Sequence, residues 1–412
     1  MDKNSEKPIV AIVKGSRWQA KQILKEALEL IGGINTVVKK DDVVLLKPNL
    51  GYPEPEGMPA WTCTTDYIVL AALTELFLEA GVKKVITADG PAHGITGEYM
   101  FRTTGVKEAV EKVGGEVSYL DEEDYVLRKI PGGVILREQW VPKICLDVDV
   151  IVNVPKVKPT RVGKFTLGYK NMFGCIPQDE RVPWHRFPEI FYLFVDLFKL
   201  LTPTLTVMDG LVIQEGFGPR FGTPVDWGVI IVGKDPVATE AVTVFALGHE
   251  PYEQAVLPIA AKAGQGTMDI HNIDVRGESI RSILRYCKLA PGDFFINSDP
   301  HIVEYCGGAC NGCASWIQST PYPWEIDPNK KYALLVGITP RLPDTFEEDE
   351  VIVLGNCAIR SKNKIEDACK AKGLEPQYIG GCPPYEHRKA GYLKLHKIDK
   401  LPYTKKIKRV KE

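Results

Sequence analysis

Short apolar runs separated by helical patterns constrain the fold of this chain more than any other feature. In the first two thirds of the sequence these runs are IVAIV (9–13), VVLLK (43–47), KVITAD (84–89), VDVIVNV (148–154), LTVMD (205–209) and VIIVG (229–233). They are apolar on successive residues, which is typical of strands buried on both faces. Residues 20–32 and 67–81 have helical periodicity, and the second segment ends in a glycine suited to a helix C-cap. This alternation predicts an α/β fold with a doubly wound, mostly parallel sheet, whose ligand site lies at the carboxyl ends of the strands.

The chain of 412 residues is longer than a single core usually supports, so we expect two domains. The segment APGDFF (290–295) interrupts the strand pattern. Further strand-like runs follow it, namely HIVEY (301–305), YALLVGI (332–338), EVIVLG (350–355) and PQYIG (376–380). We therefore predict an α/β domain over residues 1–290 and a second, smaller α/β domain over residues 291–412.

Net charge and the distribution of apolar residues limit which binding partners and which cellular compartment we expect for this protein. A net charge of −2 gives no general attraction to nucleic acid or to an anionic membrane, so we expect neither as a partner. No apolar run approaches the roughly 20 residues that span a bilayer, and the N-terminus MDKNSEKP lacks the apolar stretch of a signal peptide. These features predict a cytoplasmic protein. The basic run KKIKRVKE (405–412) is interpreted as a solvated tail.

Cysteines cluster in the last third of the chain. In a reducing compartment such a cluster indicates a metal site or catalysis more than a disulfide framework. Cys310 and Cys313 form a CxxC pair, and Cys357 and Cys382 each follow a strand-like run. Loops at the same end of neighbouring parallel strands lie together, so these segments can supply four thiolates to one site. Four thiolates suit zinc or an iron–sulfur cluster, and the wide separation of Cys357 from Cys382 favours the cluster.

The cysteine segments resemble those of a known family. CNGCASWI, LGNCAIR and GGCPPYEHRKAGYL are similar, in order and in glycine placement, to the cluster-binding segments of nickel–iron hydrogenase small subunits and the related quinone-reductase subunit. The resemblance implies a flavodoxin-like iron–sulfur domain that holds one [4Fe-4S] cluster on Cys310, Cys313, Cys357 and Cys382. Cys306 lies outside this set, although CxxxCxxC is itself a cluster spacing. The remaining cysteines are interpreted as small buried hydrophobic residues.

Residues 154–185 are dense in basic side chains and follow a predicted strand. The candidates in this segment are Lys156, Lys158, Lys164, Lys170, Arg181 and His185. Lysines placed this densely among apolar residues are not typical of a solvated face. The segment therefore predicts a cationic pocket for a carboxylate or a phosphate, and the alternative is a surface hairpin with incidental lysines.

Three other predicted strands also end in polar residues. LLKPNLGYP (45–53) contains Lys47 and Asn49, TADGPAHG (87–94) contains Asp89 and His93, and MDGLVIQEGFGPRFGTP (208–224) contains Asp209 and Glu215. We predict that Lys170, His93, His185 and Asp209 are catalytic. We predict that the substrate is bound by Lys47, Asn49, Lys156, Lys158, Lys164, Arg181 and Glu215.

The first part of the chain resembles two further families. KPNL, the segment from KPT through LGYKNMFG to His185, and the glycine-rich segment after Asp209 are similar to the family called domain of unknown function 362, whose members often carry iron–sulfur motifs. That family has a histidine where this chain has Thr160. More distantly, the segment from Thr160 to His185 and the sequence GPAH resemble lactate racemase, in which the aligned lysine, here Lys170, holds a nickel-pincer cofactor and the aligned histidine, here His93, acts as acid or base. GYKN stands where lactate racemase has GGRK, so the resemblance implies a shared pocket for a small carboxylate and not pincer binding.

Three functions fit these features. The first is an iron–sulfur oxidoreductase that binds a small anion and passes single electrons through its cluster. Two-electron chemistry with one cluster needs a redox protein partner or a second cofactor, and the chain has no GxGxxG after a strand and no P-loop. The second function is an electron-transfer or cofactor-assembly accessory protein. The third is a racemase or lyase in which the cluster is structural.

Overall fold

A computed structural model gives the structure of the protein. It describes residues 6–51, 58–92, 95–185, 187–220, 222–289, 301–307, 313, 327–338, 340–382 and 407–410. The described residues form two compact units. The first is formed by the described residues within 1–184, 188–290 and 402–412, and the second by those within 185–187 and 291–401.

Among the described residues, the first unit contains thirteen strands, twelve of them before residue 290. These strands are β1 (Ile9–Lys14), β2 (Val43–Pro48), β3 (Lys84–Asp89), β4 (Glu116–Tyr119), β5 (Asp124–Lys129), β6 (Glu138–Pro142), β7 (Val150–Val154), β8 (Lys158–Pro159), β9 (Phe165–Thr166), β10 (Leu205–Glu215), β11 (Thr223–Gly233), β12 (Asp274–Gly277) and, numbered last along the chain, β17 (Lys408–Val410). The helices of this unit are α1 (Ala20–Leu30), α2 (Tyr67–Glu79), α3 (Gly97–Thr103), α4 (Val106–Lys112), α5 (Ile144–Asp147), α6 (Gly168–Asn171), α7 (Gln178–Trp184), α8 (Ile190–Leu200), α9 (Pro236–Ala246), α10 (Val256–Lys262) and α11 (Ile280–Ile283).

Eight of these strands form one sheet in the order β12-β1-β11-β10-β7-β2-β3-β4. β11 is antiparallel to both of its neighbours, and the other neighbouring pairs are parallel. The chain runs from β2 outward to β3 and β4, and later strands add to the opposite side of β2 through β7. The order of the strands therefore reverses between β2 and β7. The predicted doubly wound, mostly parallel α/β sheet is confirmed.

Local sequence explains how the helices begin and end. The side chain of Asp66 caps α2 by accepting a hydrogen bond from the backbone N–H of Ile68. Gly81 follows the C-cap residue of α2 with φ of +88°, a conformation that glycine adopts without steric cost. Asp235 caps α9 in the same way as Asp66 caps α2, and Pro236 occupies its first position. Among the described helices, none combines the length and apolar character needed to cross a bilayer.

The end of the chain differs from the predicted solvated tail. Residues 408–410 form β17, which is parallel to β5 and completes a three-stranded sheet with β6. The predicted second domain extended to residue 412, whereas the described residues 407–410 group with the first unit. Backbone pairing with β5 accounts for this difference. The backbone N–H and C=O groups of β17 bond to β5, whereas those of a solvated tail would bond to water.

The second unit contains a smaller, wholly parallel sheet. Its strands are β13 (Ile302–Cys306), β14 (Tyr332–Val336), β15 (Glu350–Leu354) and β16 (Gln377–Ile379), and they pair in sequence order. Its helices are α12 (Gly355–Ile359) and α13 (Lys362–Lys370). The core lies between the buried faces of β14 and β15 and residues such as Phe346, Ile365 and Cys369.

Candidate functional site

The switch point of the large sheet is built around Asn171. Lys47 and Asn153 are register partners at the carboxyl ends of β2 and β7, where the strand order reverses. The Asn171 amide donates to the backbone carbonyl of Lys47 over 2.9 Å and to Oδ1 of Asn153 over 2.8 Å. The Asn49 amide donates to Oδ1 of Asn171 over 3.1 Å. Ligands of open α/β sheets bind at this kind of position, and the segment GYKNMFG is fastened directly to it.

Lys47 forms a buried ion pair at this edge. Its ammonium lies 2.5 Å from Oδ1 of Asp89, which ends β3. It also donates to the backbone carbonyl of Asn171 over 3.1 Å. The second oxygen of Asp89 accepts from the backbone N–H of Leu50 over 2.6 Å. Gly174 packs against this pair, because a Cβ atom there would lie 2.5 Å from Oδ1 of Asp89.

A second ion pair lies on the other side of the switch point. The Lys156 ammonium is 3.0 Å from Oδ2 of Asp209, and both side chains are fully buried. The same oxygen accepts from the backbone N–H of Asp66 over 2.8 Å, and Asp66 in turn pairs with Arg17. Burial raises the pKa of Asp209, while Lys156 acts in the opposite direction.

Arg181 forms a third pair. Its guanidinium lies 2.5 Å from Oδ1 of Asp121, just after β4. It also donates to the backbone carbonyls of Gly90 over 2.9 Å and Ile176 over 2.8 Å. Burial raises the pKa of Asp121 to about 6, although the charge of Arg181 favours the ionised form. Arg181, which lies in α7, therefore connects this helix to the residues that follow β3 and to those that follow β4.

The predicted cationic pocket therefore contains cations that are largely neutralised. Lys47, Lys156 and Arg181 each contact a carboxylate, and a buried cation with such a partner gains little by exchanging it for a substrate anion. The prediction that these residues bind the substrate stays a prediction. Their geometry assigns them a role in holding the carboxyl ends of the strands together.

Lys158 has a different environment. Its side chain is buried, and its ammonium donates to the backbone carbonyl of Cys63. Within the part of the chain that the structure describes, no carboxylate pairs with it. Burial lowers the pKa of Lys158 to about 8, and the charges of Lys170 and Lys156 lower it further. Lys158 thus places a cation at this edge without a carboxylate partner among the described residues.

Thr166 faces Lys158 across the β8–β9 hairpin. The two residues are register partners in an antiparallel pair, so their side chains lie on the same face. The Thr166 hydroxyl is buried and has no hydrogen-bond partner among the described residues. An unsatisfied buried hydroxyl costs about 1–3 kcal/mol, so its burial calls for a compensating ligand or water.

The other predicted residues lie in several places. Lys164 pairs with Glu253 at 2.7 Å, and Glu215 pairs with Arg285 at 2.6 Å. Glu215 ends β10 six residues beyond Asp209, about 20 Å along an extended strand, so the two carboxylates are not brought together. Lys170 is half-buried in α6. His185 is half-buried and belongs to the second unit, and His93 lies outside the described residues.

Sequence reasoning missed several residues of the site, namely Asp66, Asp121, Asn171, Thr166 and Glu240. Glu240 is fully buried on α9 and accepts hydrogen bonds from the backbone N–H of Tyr169 over 3.0 Å and from the Gln254 amide over 2.9 Å. Burial raises its pKa to about 7. A carboxylate inside the apolar pattern of α9 was the available signal for Glu240. Asp121 lies in an acidic segment typical of a solvent-exposed surface, so the sequence does not indicate that it is buried at this site.

In the second unit, Cys313, Cys357 and Cys382 lie beyond the carboxyl ends of parallel strands. Cys357 lies in α12 directly after β15, and Cys382 lies shortly after β16. Cys306 is the last residue of β13, and Cys313 lies beyond it. Cys310 lies outside the described residues. Because the four strands are parallel neighbours, the segments that carry these cysteines leave the same edge of the sheet.

Contacts of described residues bring three of these segments together. Sγ of Cys313 lies 3.3 Å from the position of a Cβ atom on Gly355. Asn356 donates its backbone N–H to the carbonyl of Gly381 over 2.9 Å, and Gly381 donates its N–H to Oδ1 of Asn356 over 2.7 Å. The described residues contain no group of three or more His, Cys, Asp or Glu side chains arranged to hold a metal ion. Cys357 and Cys382 are free thiols.

These features define the class of protein as a two-unit α/β protein with a buried ionic switch point in one unit and cysteine-bearing strand ends in the other. The chain belongs to the family described as domain of unknown function (DUF362), whose model matches residues 44–245. A thylakoid-associated protein of Synechocystis sp. is 30% identical over 269 residues, which cover 61% of this chain and 77% of that protein.

Two solved structures are also similar. A Thermotoga maritima protein is 12% identical with a TM-score of 0.34, and the match covers 61% of this chain. This chain spans 60% of the length of that protein. The lactate racemase apoprotein of Thermoanaerobacterium thermosaccharolyticum is 11% identical with a TM-score of 0.38, over 99% of this chain and 95% of that one.

Proposed function

We propose that this chain is an iron–sulfur oxidoreductase. In this proposal one [4Fe-4S] cluster is held in the second unit by Cys310, Cys313, Cys357 and Cys382. The first unit binds a small anionic substrate, a carboxylate or a phosphate. A redox protein partner exchanges electrons with the cluster.

The observation that best supports the proposal is that the segments carrying Cys313, Cys357 and Cys382 are in contact with one another. Cys313 lies against Gly355, and the Gly355–Cys357 segment is tied to Gly381 by reciprocal hydrogen bonds. Thiolates that converge from several strand ends suit a cluster of several irons, which needs ligands farther apart than a single ion does. The sequence resemblance to hydrogenase small subunits supports the same ligand set.

Residues of this chain would hold the cluster and shape its surroundings. The four thiolates would ligate it, and Gly355, with φ of +87°, lets the backbone approach Cys313 where a side chain would intrude. When bound, such a cluster supplies single electrons. Backbone N–H groups of glycine-rich segments near cluster sulfurs tune its reduction potential.

In the first unit, Lys158 and Thr166 are the donors that best suit the substrate anion. Both are buried, and neither is satisfied by a carboxylate among the described residues. An anion there would accept a charge-assisted hydrogen bond from Lys158 and a second one from Thr166. Lys47, Lys156 and Arg181 would hold the surrounding strand ends. Proton transfer is proposed for His93 or Asp209, as the sequence predicts.

Metal analysis of the anaerobically purified protein tests the cluster. We expect about four irons and four sulfides per chain, and each of the substitutions C310S, C313S, C357S and C382S should lower both. Cys369→Ser provides a matched control, since Cys369 is buried in the core of the same unit. We also expect Cys306→Ser to spare the cluster. Zinc in place of iron, or equal loss in the C306S variant, would contradict the assignment.

A redox titration separates the oxidoreductase from the alternative with a structural cluster. We expect the cluster to be reduced and reoxidised within the physiological range of potentials, as followed by electron paramagnetic resonance. A cluster that is present but cannot be reduced there would leave a racemase or lyase. A reducible cluster in a protein that binds neither acetate nor inorganic phosphate would favour the electron-transfer accessory protein.

A further inference from the structure

The last strand that the structure describes pairs with β5 of the first unit through both backbone and side chains. We name residues 408–410 the C-terminal strap. Lys408, Arg409 and Val410 are register partners of Asp124, Tyr125 and Val126 in β5. The Lys408 ammonium lies 2.9 Å from Oδ1 of Asp124. The strap is thus a defined strand with a fixed register.

Arg409 joins the strap to the start of α7. Its Nη2 atom donates to both oxygens of Asp179, over 2.9 and 3.1 Å, and to Oε1 of Glu180 over 3.0 Å. The guanidinium also lies over the ring of Trp140, 6.0 Å from its centroid. An arginine shared between two carboxylates and an aromatic ring holds its partner more firmly than an isolated surface pair does.

The inner side of α7 contacts the segment that follows β3. Arg181 donates to the carbonyl of Gly90, and the Gln178 amide donates to the carbonyls of Ala92 over 3.1 Å and Ile95 over 3.2 Å. Gly90 directly follows Asp89, the partner of Lys47. The short helix α7 therefore contacts the C-terminal strap on one side and the segment after β3 on the other.

We infer that Arg409 is a positioning residue for the switch-point site, because it holds α7 and thereby fixes the β3 end that presents Asp89 to Lys47. The chain reaches this contact only after it has completed the second unit at residue 401. The position of α7 thus depends on the far end of the sequence. The consequence for anion binding rests on the proposed function, whereas the consequence for the order of residues 89–92 does not.

Hydrogen–deuterium exchange of the full-length protein tests this inference. In Arg409→Ala we expect the amides of Asp89, Gly90 and Ala92 and those of α7 to exchange about fivefold faster, while those of β1 and β11 keep their rates. Arg276→Ala is the matched control, because Arg276 is an exposed arginine paired with Asp274 at another edge of the same unit. It should leave residues 89–92 unchanged.

A double-mutant cycle identifies the contact responsible. Asp179→Ala should reproduce part of the effect, and the R409A/D179A double variant should add little to R409A alone. Arg409→Lys keeps the charge and should recover part of the protection. Faster exchange confined to residues 124–126 and 408–410 would overturn the inference, since the strap would then fray without reaching α7. Uniformly faster exchange across the unit would also overturn it, because Arg409 would then serve only global stability.

Acetate binding by the same variants gives a second measurement. We expect R409A to weaken acetate binding about threefold relative to R276A, because Asp89 and Lys47, which hold the strand ends around the proposed Lys158–Thr166 site, are less well ordered. In one outcome, R409A accelerates exchange at residues 89–92 while the unaltered protein binds neither acetate nor phosphate. That result would support the positioning role of Arg409 and contradict the proposed anion site. If R409A binds acetate normally and exchanges normally, the inference itself is overturned.

Discussion

The ammonium of Lys47 lies 2.5 Å from Oδ1 of Asp89, and both side chains are almost completely buried. Gly174 covers this pair with its backbone alone. An ion pair removed from water is stable only when its geometry and remaining hydrogen bonds are good. The backbone carbonyl of Asn171 and the backbone N–H of Leu50 supply those hydrogen bonds here.

Gly174→Ala should destabilise the first unit by about 1–3 kcal/mol. A Cβ atom would lie 2.5 Å from Asp89 Oδ1 and 2.9 Å from Lys47 Nζ, so the buried pair must separate or the backbone must move. Gly51→Ala is the matched control, because a Cβ atom there meets nothing within 4 Å. Denaturant unfolding measures both. Equal stability of the two variants would show that the pair tolerates the added methyl group.

Lys156→Met should lower the free energy of unfolding by about 3–5 kcal/mol, because it leaves the Asp209 carboxyl buried without its partner. The K156M/D209N double variant should recover part of this loss. Lys84→Met removes a surface pair with Glu116, whose side chains are 38% and 57% exposed, and should cost under about 1 kcal/mol. A K156M variant as stable as K84M would contradict this account.

The stability of the first unit should depend on pH through Glu240. Burial raises the pKa of this carboxyl to about 7, from an ordinary value of 4.5. Between these values the unfolded chain is ionised and the folded chain holds the proton, so the free energy of unfolding should fall as pH rises from 4.5 to 7, by up to about 1.4 kcal/mol per pH unit. Comparison of Glu240→Gln with Glu26→Gln, at an exposed position of α1, isolates this component. An unchanged slope in E240Q would contradict the prediction.

Acetate binding should weaken above about pH 8, where the Lys158 ammonium loses its proton. Acetate stays ionised throughout this range, so the change reports the protein. Calorimetric titration should show at least tenfold weaker binding by Lys158→Met, with no remaining dependence between pH 7 and 9. Thr166→Val should also weaken binding, whereas Thr87→Val, which removes another buried hydroxyl without a described partner, should not. Equal effects of the two threonine variants would remove Thr166 from the site.

Gly355→Ala should lower the iron content of the anaerobically purified protein. Its φ of +87° disfavours alanine, and the methyl group would lie 3.3 Å from Sγ of Cys313. Gly373→Ala controls for the backbone effect, because Gly373 also has positive φ, of +66°, in the same unit, but a Cβ atom there meets nothing within 4 Å. Similar iron contents in the two variants would argue against Cys313 as a ligand.

The buried strands were predictable because burial on both faces leaves a continuous apolar run. KVITAD coincides with β3, the run at residues 43–47 lies on β2, and the first five residues of the run at 332–338 form β14. The extensions of β10 to Glu215 and of β11 back to Thr223 were missed, since residues such as Pro224 and Asp226 do not resemble a buried strand. These extensions pair with each other and not with the rest of the sheet.

The polar strand ends were predictable as a group, but their partners were not. Lys47, Lys156 and Arg181 stand out by their density and position. Asp121 reaches Arg181, and the backbone N–H of Asp66 reaches Asp209, through tertiary structure alone. Whether a buried lysine binds substrate or completes an internal ion pair depends on carboxylates far away in sequence. Lys156 and Lys158 are two residues apart, yet one has such a partner and the other has none among the described residues.

The two sheets differ in when their strands become available during synthesis. The strands of the second unit, β13 to β16, pair in the order in which they are synthesised. Each new strand can therefore pair with a neighbour that has already been synthesised. In the first unit, β1 pairs with β11 and β12 only after those strands have been made, and β5 acquires β17 only after the second unit has been synthesised. The first unit therefore begins to form before the second and is completed after it, and a chain that terminates before residue 408 loses a strand from the first unit.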